Sequence, residues 1–210
     1  KTVTVDNTAP FAEVREPIEG THLKGTYTLD TYSYDVNFNR TELYLDGVMV
    51  ILGSGVQNCS WNTTTVDDGP HTIRLIAYDK AGNNVSDTVT VIVDNTEPNV
   101  SITSPLEGAE LTGMVTIWFN ASDDHLSMAL LYVDEAVFDV TALTSYDWNT
   151  TEMGDGIHTI KIVASDRAGN TATDEITVCT LNVQKATGEG YLSGRNFGLG
   201  LGLGIGILLG

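Results

Sequence analysis

The segment VDNTAP, beginning at Val5, recurs as VDNTEP at Val93, 88 residues on, and the register then holds along the chain. It pairs Pro17 with Pro105, Gly20 with Gly108, Gly25 with Gly113, Tyr44 with Tyr132 and Asp46 with Asp134. One deletion reduces the offset to 87, which pairs Trp61 with Trp148, His71 with His158, and Asp79 to Asn83 with Asp166 to Asn170. A repeat of this length constrains the fold more than any local propensity, because each copy must bury its own core and both must share one plan. The expected organisation is a domain over 6–94, a second over 95–183, a polar linker over 184–196 and a hydrophobic tail over 197–210. Residues 1–5, KTVTV, match the TVTV that precedes Asp94 and read as the terminal strand of a preceding copy, which places the start of the chain inside a longer array.

Within each copy, apolar residues alternate over short runs separated by Gly, Asn and Asp clusters, the signature of strands and turns. In the first copy this predicts strands over 11–17, 25–35, 40–47, 48–53, 57–65, 71–79 and 85–94. Seven short strands in fewer than 90 residues fit an antiparallel sandwich, so the expected class is all-β with two tandem sandwiches. Alternation sends His71, Ile73, Leu75 and Ala77 inward, and His158, Ile160, Ile162 and Ala164 with them. Trp61 and Trp148 are assigned to the two cores.

With 28 acidic against 10 basic residues the net charge is −18, and no Lys/Arg cluster offers a phosphate-binding surface. That excludes a nucleic-acid partner of the usual electrostatic kind. No HExxH, GxSxG, GxxxxGK or CxxC occurs, and the neighbouring acids Asp67-Asp68 and Asp123-Asp124 read as solvated turn residues, so no enzyme and no required cofactor are expected. Cys59 replaces the second copy's Tyr146 and is expected at the core edge, whereas Cys179 falls out of phase with inward Val178.

The ordered set PxxG, LYxDG, WxTT, DGxHTI, DxAGN and VDNTxP resembles the immunoglobulin-like repeats of bacterial and archaeal cell-surface proteins, over about residues 6 to 183. The resemblance implies two seven-strand Ig-like sandwiches acting as stalk or adhesive modules without catalytic residues. Implied partners are neighbouring repeats or identical subunits, and surface glycans or another cell. The DGxH segment is also similar to the tyrosine corner of fibronectin-like sandwiches, with His71 and His158 where a Tyr would sit, which predicts a side-chain hydrogen bond back to the preceding corner.

Seven Asn-x-Ser/Thr triplets, at Asn39, Asn58, Asn62, Asn84, Asn99, Asn120 and Asn149, point to glycosylation and hence to an extracellular or envelope-attached location. The tail FGLGLGLGIGILLG has two readings. As a helix of 14 residues it would reach about 21 Å, short of a hydrocarbon core of about 30 Å, so it is a membrane anchor cut short. As a strand, its period of two separates glycines from Leu and Ile, which suits an assembly strand donated to a neighbour. Glycine weakens exposed strands and is tolerated in membrane helices, which favours the anchor.

Sandwich topology brings the entering linker and two loops to one pole, and the repeat puts an acid in each. These are Asp6, Asp35 and Asp79 in the first copy and Asp94, Asp123 and Asp166 in the second, with Asn83 and Asn170, and Asn7 and Asn95, as neighbouring amide oxygens. Such hard oxygen sets suit Ca²⁺. The DNTxP linker is similar to the calcium-stiffened junctions of cadherins without their full acidic motif; turn geometry alone is the competing explanation for these Asp and Asn residues. For function, the expectation is a non-catalytic surface stalk or adhesive module. The alternatives are a carbohydrate-binding or accessory module of a secreted enzyme, with outward Tyr32, Tyr34 and Trp118 as a sugar platform, or a filament subunit joined by strand exchange.

Overall fold

The structure, a computed structural model, describes residues 5–182 apart from Val56. The linker over 184–196 and the tail over 197–210 lie outside the described residues, as does the expected strand over 1–5 except for Val5. Among the described residues, no helix is long and apolar enough to cross a membrane.

The first sandwich comprises β1 (Phe11–Glu16), β2 (His22–Leu23), β3 (Thr26–Tyr34), β4 (Phe38–Leu45), β5 (Val48–Gly53), β6 (Gln57–Asn62), β7 (Gly69–Asp79) and β8 (Asn84–Val93). The second repeats it as β9 (Asn99–Ser104), β10 (Glu110–Leu111), β11 (Met114–Ser122), β12 (Leu126–Val133), β13 (Ala136–Asp139), β14 (Ser145–Asn149), β15 (Gly156–Asp166) and β16 (Thr171–Thr180). In each copy a three-stranded sheet (β1-β3-β6; β9-β11-β14) faces a five-stranded one (β2-β8-β7-β4-β5; β10-β16-β15-β12-β13).

Each copy therefore has eight strand segments where seven strands were expected, because the opening strand divides between the sheets. β1 pairs antiparallel with β3, and β2 pairs parallel with β8. The break falls at Pro17, which has no N–H for a ladder, and at Gly20, whose φ of 77° re-aims the chain. Pro105 and Gly108 (φ 73°) do the same in the second copy. The strand expected over 57–65 ends at Asn62, whose side chain accepts from Thr64 N and caps a short 3₁₀ turn over Thr63–Thr65; Asn149 caps Thr150–Glu152 in the same way.

The two cores are separate. Val14, Leu23, Leu29, Leu43, Trp61, Ile73, Leu75, Val89, Val91 and Val93 fill the first, and the inward faces of β11, β12, β15 and β16 with Trp148 fill the second. The inward set of β7 falls as alternation predicts, and His71 and His158 point with it, each against a tryptophan edge at 5.8 and 5.6 Å.

Candidate functional site

The linker between the sandwiches is held from both sides. Asn95 turns back to the first domain: its Oδ1 accepts from Gly25 N (2.8 Å) and Thr63 Oγ1 (3.1 Å), and Thr96 Oγ1 donates to Asp68 Oδ2 at 2.6 Å. Asn95 is thus a bracket to the domain behind it and faces away from the acidic pole where its amide oxygen was expected to serve. The Thr96 and Asn95 donors hold the Asp68 carboxyl below its ordinary value. Asp94 turns forward, 5% exposed, with Oδ2 at 3.1 Å from His125 Nδ1 in the turn between β11 and β12. Lys24 of the first sandwich donates to the Gly169 carbonyl of the second. An open cleft of about 430 Å³ lies along this joint, lined by Asp68, Val93, Asp94, Thr96, Asp123 and His125 among others.

Both expected acid clusters form. In each, one carboxylate oxygen from every member lies within 4.8 Å of the others: Asp6, Asp35 and Asp79 in the first copy, Asp94, Asp123 and Asp166 in the second. Asp79 and Asp166 are buried at the ends of β7 and β15, while Asp6, Asp35 and Asp123 are half-buried. The local chemistry is a set of turns that aim oxygens inward. Asp79 Oδ1 accepts from Gly82 N (2.7 Å) and Asn83 N (2.8 Å), Asp35 Oδ1 from Asn37 N (2.6 Å), and Asp123 Oδ1 from His125 N (2.6 Å). Burial pushes the Asp79 carboxyl up, but the donors from Asn83, Gly82 and Ala81 outweigh it and hold it below its ordinary value.

Asn83 and Asn170 lie beside the clusters but offer the amide nitrogen rather than the expected oxygen. Asn83 Nδ2 donates to Asp79 Oδ2 (2.7 Å) and to the Asp6 carbonyl (3.1 Å), and Asn170 Nδ2 to Asp166 Oδ2 (2.6 Å) and the Asp94 carbonyl (2.9 Å). A carboxylate binds more strongly than an amide oxygen to the donor it faces, so this orientation follows from electrostatics. The clusters fit a hard cation in donor type. Three carboxylates supply half the usual ligand number or less, and each pair of like charges at about 4 Å costs about 1 to 4 kcal/mol, depending on screening, until a cation relieves it.

Sequence reasoning missed His22, His125, Asn37 and Lys24. His22 Nδ1 is buried without a hydrogen-bond partner among the described residues, and its ring meets the His125 ring edge-on at 4.6 Å. Burial, then the charges of His125 and Arg167, push the His22 imidazole below its ordinary value. The repeat gives no signal here, because Glu110 takes the place of His22 in the second copy and Asn37 takes that of His125 in the first.

Five of the seven sequon asparagines are exposed: Asn39, Asn58, Asn62, Asn84 and Asn99; Asn120 and Asn149 are half-buried. Of the aromatic platform, Tyr34 and Trp118 are 57% and 51% exposed but belong to different domains, and Tyr32 is covered by the Arg15 guanidinium at 4.1 Å. Cys59 and Cys179 are both free and half-buried, and burial pushes the Cys59 thiol up.

The bacterial Ig domain family model matches residues 98–162. The chain carries tandem Ig-like repeats. No curated protein sequence matches it. Among solved structures, the fibronectin(III)-like modules of CbhA from Clostridium thermocellum share the fold with a TM-score of 0.54 at 17% identity, over 82% of this chain and 95% of that one. The endo-beta-1,4-mannanase of Thermotoga petrophila is similar over 42% of this chain and 21% of its own (23% identity, TM-score 0.38). A tetra-tandem repeat from the extending region of a large adhesion protein is similar over 82% and 49% (21% identity, TM-score 0.37). Ig-like and fibronectin-III-type modules of this kind occur in surface proteins and as accessory domains of enzymes.

Proposed function

We propose that these Ig-like repeats form a non-catalytic, extracellular spacer in a surface stalk or adhesive protein, with a joint stiffened at the VDNTEP linker. The observation that carries this reading is the two-sided hold on the linker: Asn95 and Thr96 fasten it to the first sandwich, and Asp94 joins Asp123 and Asp166 of the second. Calcium at the Asp94 cluster, and at Asp6, Asp35 and Asp79 toward a preceding neighbour, would tighten that hold by replacing carboxylate repulsion with shared coordination. A ligand bound only by the native state raises its melting temperature, so millimolar Ca²⁺ is expected to raise it relative to EDTA. Superimposed melting curves would discard the calcium element.

Placement is tested separately, by expressing the protein in its native host with its surrounding gene. The expected product fractionates with the envelope and carries added glycan mass at the exposed sequons; an unmodified cytoplasmic species would overturn the extracellular reading. A sugar-binding accessory role is supported by half-exposed Trp118, and retardation of the chain in polysaccharide gels, lost in Trp118→Ala, would favour it over the spacer.

A further inference from the structure

His22, Asp94 and His125 come from three parts of the chain that meet only in the assembled joint: β2 of the first sandwich, the linker, and the β11–β12 turn of the second. One donor atom from each lies within 4.8 Å of the other two. We propose that this triad binds one borderline transition-metal ion, Zn²⁺ by its ligand set, and that the ion fastens the two Ig-like domains to each other.

Two imidazoles and one carboxylate form a donor set typical of zinc, with water free to complete four-coordination, whereas Ca²⁺ and Mg²⁺ take oxygen. Donors bound to one tetrahedral ion at about 2.0 to 2.1 Å lie about 3.4 Å apart, and His125 Nδ1 and Asp94 Oδ2 are already at 3.1 Å. The His22 donor, within 4.8 Å of the other two, is the one that must move closer to complete the set. A metal ion would replace the proton that His125 and Asp94 share, and that proton leaves to solvent.

His22 Nδ1 strengthens the case, because a ring nitrogen buried without a partner among the described residues is an anomaly that calls for an occupant. The other two histidines do not compete, since both ring nitrogens of His71 and of His158 are engaged by hydrogen bonds within their own domains. The charge balance also favours a cation: Asp94, Asp123 and Asp166 converge here, against Arg167 and Lys24. With Glu110 and Asn37 at the equivalent positions, the triad is specific to this joint and is not part of the repeat.

The test is titration of the full chain with Co²⁺, followed by displacement with Zn²⁺. The expected result is the visible absorption of four-coordinate cobalt, saturating at one equivalent and lost to Zn²⁺. Removing a ligand should weaken binding by at least about tenfold in each of His22→Gln and His125→Asn, because even outer-shell changes cost that much. His125→Asn installs the first copy's own residue, and a cooperative melting transition without metal shows that the variant is folded. Asp35→Asn, in the other cluster, should bind as the parent does. No saturable band, or a band that survives both histidine substitutions, overturns the proposal. Asp94 belongs to both sites, and both variants keep Asp94, Asp123 and Asp166, so calcium melts of the two histidine variants report on the acid cluster separately from cobalt binding.

Discussion

His158 Nδ1 lies 2.6 Å from Asp134 Oδ2, while the Nε2 of the same ring contacts the Gly154 carbonyl at 2.9 Å. One side chain thus links the β12–β13 turn, where Asp134 sits at φ 52°, to the corner that precedes β15. His71 does the same with Asp46 (2.6 Å) and the Asp67 carbonyl (2.8 Å), so the expected corner hydrogen bond is present in both copies.

This pair makes stability depend on pH. Burial pushes the His158 imidazole down, but the bonds to Asp134 and Gly154 and the Asp134 charge outweigh it and hold it above its ordinary 6.5. Burial likewise pushes Asp134 up, and the bonds from His158 and Thr159 outweigh that and hold it below 3.8. A base with a raised folded-state pKa stabilises fully below its unfolded value and loses that contribution as pH rises through the folded one. A carboxyl with a lowered pKa stabilises above its unfolded value and loses that contribution as pH falls through the folded one. The pair therefore contributes most between about pH 4 and 6.5. In that window His158→Gln should cost about 0.5 to 1 kcal/mol, a modest figure because the Asp134 side chain is 38% exposed and screened. The cost should shrink above neutrality in urea unfolding curves; a cost that stays constant from acid to alkaline pH would contradict this assignment.

Trp148 is 5% exposed and packs against the His158 edge. Trp148→Ala should destabilise the second domain by about 3 to 5 kcal/mol. Trp148→Phe should cost clearly less, because it also removes an indole N–H that is buried without a partner among the described residues. Calorimetry of the full chain checks both, and an unmoved second-domain transition in the alanine variant would remove Trp148 from the core.

Asn95 and Asn182 are equivalent brackets. Asn182 Oδ1 accepts from Gly113 N (3.0 Å) and Thr150 Oγ1 (2.8 Å), as Asn95 does from Gly25 and Thr63. Replacing either by Ala strands partly buried donors and should cost about 1 to 3 kcal/mol in its own domain. Denaturant titration followed at Trp61 and Trp148 should show each loss in the matching domain.

Glycan occupancy should follow the freedom of the amide nitrogen that carries the sugar. Asn62 is exposed and caps its turn through Oδ1, so capping and modification are compatible. Asn120 Nδ2 is tied to the Asn99 carbonyl and Ser122 Oγ, and Asn149 Nδ2 to Glu152. Site-resolved mass spectrometry of material from the native host should find Asn62 more occupied than Asn120 or Asn149, and the reverse order would refute the argument.

The repeat and the period-two pattern made the sandwich plan, the inward histidines and both acid triads legible, because each depends on position along a strand or loop. The split of the opening strand was not legible: β2 has two residues, too few to show a period, and its partner β8 lies about 70 residues on. The direction of Asn83 and Asn170 was also hidden, since either end of an amide fits the same residue type. His22 and His125 escaped because their proximity arises from two domains packing, and comparing one copy with the other removes the signal.

The parallel pairing of β2 with β8 bears on how a domain of this plan would carry mechanical load. Gly20 N, Ile92 N and Asp94 N bond across that seam to Thr90, Thr21 and Leu23 at 2.8, 3.0 and 2.9 Å, and the second domain repeats the pattern from Gly108 N, Cys179 N and Leu181 N. Tension on a domain pulls its first strand and its last in opposite directions along their own length. The bonds of the seam are then strained together, as in a lap joint under shear, instead of parting one by one as in a peeled hairpin. A tether that must hold under drag gains from that geometry before any ion or partner is added.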